Sequence, residues 1–409
     1  MTRTVTLIRH AETNANRAGL WQGSADSGLS PRGEKQLAAL AARQNGSRPD
    51  VLIASDLPRT RRTASAFGDP VLDPAWREFG VGKWEGLTSD EIKKRYPGEL
   101  EMFFRGEDAA PGGGEPMPEF RNRILAAFES LIESMRDGQS AVVVTHGGVI
   151  WAVMGCVLGL SGGAQRMIPS HNTASTVITV GENGTKQVAV FNDASHLRDV
   201  PTQFGPDGPM VSLFRHGQTQ ANVDGIWQGR TDSPLTVRGR EQVEAASQVA
   251  PRIGGLFTSP LGRSVETASI IGDAVGLVPE TDPGLIEMSF GGWEDMTMSE
   301  AAADDPELFE RIYDHDEDLP RGGDGESFAQ AGARVFATIE SIVRDNAAGD
   351  IGVVSHGATI RAYIVNVVGL NFAARNRFPI PRNSSMAQVR YTETGPVLAG
   401  YNIAPNLDD

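Results

Sequence analysis

The sequence predicts an α/β protein made of two α/β/α sandwich domains in tandem, each with a mostly parallel central sheet. Three observations carry this. Apolar runs rich in β-branched residues alternate with segments of helical spacing. The whole alternation occurs twice, with a repeat of about 205 residues. At 409 residues and 40% hydrophobic content, the chain can bury more than one core.

The elements of the first half follow in order. VTLI at 5–8, DVLIAS at 50–55 and AVVVT at 141–145 are short and nearly continuous in apolar residues, as strands covered on both faces should be. Between the first two, SPRGEKQLAALAARQ (30–44) has helical spacing, with Ser30 as N-cap and Pro31 at the first helical position. In the second half PLTVRGREQVEAASQVA (234–250) repeats that pattern. Alternation of this kind builds a parallel sheet whose ligand crevice lies at the carboxyl ends of the strands.

Four segments recur in one order. LIRHAETNAN (7–16) is answered by LFRHGQTQAN (213–222), and ASDLPRTRRTA (54–64) by TSPLGRSVETA (258–268). REFGVGKWEGLT (77–88) matches IEMSFGGWEDMT (286–297), and VVVTHGGVI (142–150) matches VVSHGATI (353–360). The offsets drift only from 204 to 210, as expected of a duplicated domain with small loop insertions. The expected division is residues 1–195, a polar linker at 196–209 that is rich in Pro and Gly, and residues 210–409.

Charge and cysteine usage exclude some classes of function. Net charge is −15, and it is uneven: residues 1–200 hold 22 Lys+Arg against 23 Asp+Glu, residues 201–409 hold 15 against 29. Binding of nucleic acid through a broad basic face is therefore not expected. A single cysteine, Cys156, fits a reducing compartment. No signal peptide is expected at the N-terminus, and no apolar run approaches the roughly 20 residues a membrane span needs. The expectation is a soluble cytoplasmic protein.

Each half thus brings two histidines, two arginines and a glutamate to strand ends or the turns after them. Only seven histidines occur, and four are His10, His146, His216 and His356. A lone histidine beside a strand is more often structural; the same set written twice argues for chemistry. Paired arginines suit a tetrahedral oxyanion. A neutral imidazole can attack phosphorus, a second can stabilise transition-state charge, and a glutamate can exchange protons with leaving group and water. No metal-ligand spacing is present, so the arginines would supply the electrophile and no cofactor is expected.

These motifs resemble the histidine phosphatase superfamily, with its phosphoglycerate-mutase-like fold, over nearly the whole chain and twice. The resemblance implies that His10 and His216 are nucleophiles carrying a phosphohistidine. Arg9, Arg59 and His146 would line the phosphate pocket of the first half, and Arg215, Arg263 and His356 that of the second. By charge alone Arg61 or Arg62 could replace Arg59; the offset to Arg263 favours Arg59. Glu78 and Glu287 match the proton donor, and Asn16 and Asn222 an asparagine that touches phosphate. Glu115 and Glu326, in GGGE (112–115) and GDGES (323–327), would orient other groups.

Departures fall mainly in the first half: Ala11 for glycine, Asp56 where Pro260 stands in the second half, Pro116 for Ser327, and Trp151 for Arg361. They put the first half's activity in more doubt than the second's.

Three readings follow. The first is a phosphomonoester hydrolase acting on a small phosphorylated metabolite. The second is a mutase, which needs extra cations, usually from the insert after the acid glutamate. In the second half that insert, 295–318, holds ten Asp+Glu and only Arg311, a poor setting for a sugar acid. In the first half, Lys93-Lys94-Arg95 reads as a solvated helix face, with contact to an anionic substrate as the alternative. The third is a module that binds phospho-ligands without turnover, in one or both halves. A nucleophilic imidazole retained beside a proton donor argues against full inactivity. The doubled motif also fits an intramolecular pseudo-dimer.

Overall fold

The computed structural model describes all residues except 1, 45, 47, 108, 161–165, 198–207, 347–348 and 405–409. The chain divides into two compact units, Met1–Gly205 and Pro206–Asp409. Most of the expected linker, 198–207, lies outside the described residues. His196 is held within unit 1, its ring meeting the Thr173 hydroxyl at 3.0 Å and the Arg43 guanidinium at 3.4 Å.

Unit 1 runs β1 (Arg3–Arg9), α1 (Asn14–Arg17), α2 (Pro31–Gln44), β2 (Val51–Ala54), α3 (Pro58–Ala64) and β3 (Val71–Leu72). It continues through α4 (Ser89–Arg95), α5 (Glu99–Phe104), α6 (Met117–Ser134), β4 (Ser140–Thr145), α7 (Gly147–Leu158), β5 (Ser175–Val180) and β6 (Lys186–Asp193). Its strands lie in the order β6-β5-β1-β4-β2-β3. β1, β4, β2 and β3 run parallel to one another, and β5 pairs antiparallel with both β1 and β6. Alternation sorts the strand residues between faces. Ile8, Ala54, Val142 and Val144 pack with Leu40 of α2 and Ala64 of α3. Val5, Leu7 and Val143 point the other way and are fully buried. Ser30 caps α2 as its sequence demands: its hydroxyl accepts the Gly33 N–H at 3.0 Å.

Unit 2 repeats this plan. It contains β7 (Met210–Arg215), α8 (Gln220–Val223), β8 (Ile226–Trp227), α9 (Val237–Gln248), β9 (Gly255–Thr258), α10 (Gly262–Val275) and β10 (Glu280–Thr281). Then come β11 (Met296–Thr297), α11 (Met298–Asp304), α12 (Pro306–Tyr313), α13 (Phe328–Asp345), β12 (Ile351–Ser355), α14 (Gly357–Val367), β13 (Met386–Thr392) and β14 (Gly395–Ile403). The main sheet is ordered β10-β9-β12-β7-β13-β14, again parallel except at β13 and β14. β8 and β11 form a separate antiparallel pair. Phe214, Leu256 and Val354 pack against Val243 of α9 and Ile271 of α10.

β1 and β4 are adjacent and in register from Thr4–Ser140 to Arg9–Thr145, so His10 and His146 leave the sheet side by side. β7 and β12 do the same for His216 and His356.

Candidate active site

The two imidazoles of each unit meet edge to face. Ring centroids are 5.2 Å apart for His10–His146 and for His216–His356. His10 donates from Nδ1 to the Ala11 carbonyl at 2.9 Å, and His216 to the Gly217 carbonyl at 2.8 Å. A carbonyl only accepts, so in this geometry Nδ1 carries the hydrogen and Nε2 keeps its lone pair. Burial, then the Arg59 and Arg9 guanidiniums, hold His10 well below the usual imidazole range. His216 is lowered in the same way by burial, Arg215 and Arg263. Both rings are therefore neutral bases at pH 7.

His146 and His356 are the N-caps of α7 and α14 and are fully buried. Nε2 of each meets a serine hydroxyl at the end of the neighbouring strand, Ser55 at 2.8 Å and Ser259 at 2.7 Å. Nδ1 of His146 faces Nη2 of Arg59 at 3.3 Å, and Nδ1 of His356 is buried with no hydrogen-bond partner. Burial and the neighbouring cations lower both pKa values well below the ordinary one.

The arginines are tethered by their Nη atoms. Arg59 donates to the Gly23 and Ala25 carbonyls, and Arg263 to those of Gly229 and Thr231. Arg9 donates to the Ser170 carbonyl at 2.6 Å, and Arg215 to that of Pro381 at 2.7 Å. In all four the Nε atom is buried and unpaired. The two guanidiniums of each unit stand close enough to its first histidine to lower that imidazole's pKa. Burial lowers Arg9 and Arg215 to about 10, so both stay charged at neutral pH.

Glu78 joins its cluster from the loop after β3. Its carboxylate accepts the N–H of Gly148 at 3.0 Å and of Phe79 at 3.2 Å, and burial raises its pKa above the usual value. Glu287 accepts from Met288 N at 2.8 Å, Thr359 N at 2.9 Å, the Thr359 hydroxyl at 2.8 Å and Ala358 N at 3.3 Å. Asn16 and Asn222 sit at the edge. Each Oδ1 accepts from a second asparagine, Asn172 at 3.3 Å and Asn383 at 3.0 Å, and these also bond the carbonyls of His10 and His216.

Glu115 and Glu326 hold arginines. Glu115 binds Arg123 through two bonds, and Arg123 donates to the Ala75 and Arg77 carbonyls beside Glu78. Glu326 binds Arg334, which donates to the carbonyls of Gly284 and Ile286. Sequence reasoning missed Asn172, Asn383, Arg123 and Arg334. Aligning IPSHN (168–172) with PIPRN (379–383) would have exposed the asparagines.

The first half's departures leave its cluster assembled. Ala11 is fully buried, and its N–H bonds the Thr63 hydroxyl as that of Gly217 bonds Thr267. Asp56 forms a salt bridge with Arg77. Lys93, Lys94 and Arg95 are exposed on the last turn of α4, as a solvated face. Among the described residues no helix is long and apolar enough to cross a membrane.

The family model for the histidine phosphatase superfamily (branch 1) matches residues 5–194 and 211–404. A probable phosphoglycerate mutase GpmB from Yersinia enterocolitica is 33% identical over 198 residues, covering 47% of this chain and 90% of the relative. The protein of the same name from Enterobacter sp. is 32% identical over 211 residues, covering 49% and 97%. Among solved structures, a phosphoserine phosphatase from Entamoeba histolytica in complex with phosphoserine is 27% identical, with TM-score 0.44 over 47% of this chain and 96% of that one. A mycobacterial glucosyl-3-phosphoglycerate phosphatase with VO3 is 26% identical, with TM-score 0.43 over 48% and 100%.

Proposed function

The chain belongs to the histidine phosphatase superfamily through both of its units, and from that premise we propose a phosphomonoester hydrolase with two sites. Each acts without a metal, through a phosphohistidine, on a small phosphorylated metabolite. The observation that carries this reading is the cluster repeated in each unit: two imidazoles with centroids 5.2 Å apart, the first bonded through Nδ1 to a carbonyl and flanked by two arginines.

The steps follow from the residues. Nε2 of His10 or His216 forms a bond to phosphorus as the ester P–O bond breaks. Arg9, Arg59 and His146, or Arg215, Arg263 and His356, hold the equatorial oxygens and the charge that spreads over them. Glu78 or Glu287 gives its proton to the departing alkoxide. Water then attacks phosphorus, the same carboxylate takes its proton, and the N–P bond breaks to release phosphate. The lone cysteine fits the reducing cytoplasm as its compartment.

His10→Ala and His216→Ala, singly and together, test this on p-nitrophenyl phosphate. Each single variant should lose one unit's turnover and the double should lose all of it. A double variant with wild-type turnover overturns the assignment. The relatives named probable phosphoglycerate mutase favour a second reading, return of the phosphoryl group to another hydroxyl. Product analysis with 3-phosphoglycerate separates the two: free phosphate supports hydrolysis, and 2-phosphoglycerate without phosphate release supports the mutase.

A further inference from the structure

Arg263 is bonded to a carboxylate, and its counterpart Arg59 is not. Asp232 lies in the loop between β8 and α9. Its Oδ1 accepts Nη1 of Arg263 at 3.0 Å and the Arg263 backbone N–H at 3.4 Å, and its Oδ2 accepts the Gly262 N–H at 2.5 Å. One exposed side chain thus joins a buried guanidinium to the first turn of α10. The first N–H groups of a helix have no partner within it, and the N-cap, Leu261, offers no side-chain acceptor. Asp232 supplies that acceptor from another segment, and its negative charge suits the positive end of the helix. Gly262 leaves the room, since a Cβ there would stand 2.6 Å from Oδ2.

Unit 1 cannot copy this arrangement. The matched residues are Asp26 and Pro58, and proline has no N–H to hold the carboxylate. Among the described residues Arg59 has no hydrogen bond to a carboxylate; it meets the Gly23 and Ala25 carbonyls and Nδ1 of His146. In unit 2 Nδ1 of His356 has no hydrogen-bond partner, and Arg263 bonds Asp232. The same pocket is therefore braced in two ways. Surface ion pairs ordinarily contribute little, because two long side chains must be ordered in water. Here the arginine side chain is only 1% exposed and backbone N–H groups hold the short carboxylate, so the fold has done most of that ordering.

We propose that Asp232 is a positioning residue of unit 2, fixing the Arg263 guanidinium against the phosphoryl group through the start of α10. This rests on the phosphatase reading of unit 2. Asp232 acts through Arg263 and not on the substrate. The arginine fork must meet the equatorial oxygens at a set angle, and a fork displaced by an ångström or so stabilises the transition state less. The effect therefore falls on kcat and is the same whatever the leaving group.

The test uses the full chain with His10→Ala, so that turnover comes from unit 2. Asp232→Ala should lower kcat about tenfold, equally for ethyl phosphate and p-nitrophenyl phosphate. Asp232→Asn, which keeps an oxygen acceptor, should lose less. With Arg263→Lys the fork is gone, and adding Asp232→Ala should then change kcat by about twofold at most. A full tenfold loss in that background would mean that Asp232 only caps the helix, and overturns the proposal. Unchanged kcat in Asp232→Ala also overturns it. Unit 1, read in the His216→Ala chain, should keep its turnover with Asp26→Ala. A tenfold loss there overturns the claim that the bonds to Gly262 and Arg263 carry the effect. If the His10→Ala chain releases no phosphate from any ester, the catalytic reading of unit 2 fails, and binding of inorganic phosphate to that chain decides the proposal, the unit 1 site being common to every variant. Arg263→Lys must then weaken phosphate binding about tenfold less when Asp232→Ala is present. Equal weakening overturns it.

Discussion

Glu78 and Glu287 occupy matched positions in the repeat but meet different neighbours. Glu287 accepts four hydrogen bonds, two of them from Thr359, where unit 1 has Val149. A general acid must also be aimed at the leaving oxygen, and the Thr359 hydroxyl helps to hold the Glu287 carboxylate in place. Replacing Thr359 by Val removes that hydroxyl donor. In the His10→Ala chain, kcat for ethyl phosphate should fall about tenfold, and for p-nitrophenyl phosphate less. Equal losses on both esters, or none, contradict this positioning role for the hydroxyl. Glu78 already sits above the usual range because burial outweighs its two donors. In the His216→Ala chain, Glu78→Gln should slow ethyl phosphate hydrolysis about 10²- to 10⁴-fold, and p-nitrophenyl phosphate far less. Only the alkoxide needs the proton. Equal losses on both esters remove the acid role.

Among the elements, α9 controls the loop that follows His216. A Cβ on Gly239 would stand 2.1 Å from the Gln218 carbonyl oxygen, a backbone atom that cannot turn aside. Gly33 of α2 meets the Glu12 carbonyl in the same way at 2.0 Å. Gly239→Ala must therefore displace the loop or the helix, costing about 1–3 kcal/mol as overpacking does. It should also cut unit 2 turnover in the His10→Ala chain, since His216 is bonded into that loop. Unchanged melting temperature and turnover would show that the loop tolerates the shift. What could be read in the sequence divides by range. The strands ending in Arg9-His10, the Ser30 cap and the duplicated cluster were legible, because each is a local pattern written twice. The Arg123 and Arg334 braces were not, because they join segments 48 residues apart through carbonyls that carry no sequence signature.

Across the whole chain, holding four imidazoles neutral has a thermodynamic consequence. His10, His146, His216 and His356 are all depressed well below the ordinary imidazole value, mainly by burial and also by their arginines. His196, at about 4 through burial and Arg43, adds a fifth. Below about pH 6.5 the unfolded chain binds protons on these residues and the native chain does not. Stability is therefore full above that pH and is lost as pH falls toward the folded values. Each histidine contributes a slope of at most about 1.4 kcal/mol per pH unit. Glu78, raised by burial, acts in the opposite direction, but it is one group against five. Between about pH 6.5 and pH 5 most carboxylates are still ionised, so the histidines dominate. Urea midpoints measured across that window should fall as pH falls. Replacing His10 and His216 by Asn, which cannot take up a proton, should make the fall shallower. A midpoint that holds steady or rises on acidification would mean that the imidazoles are already protonated in the folded chain. They could not then be the nucleophiles on which both sites depend.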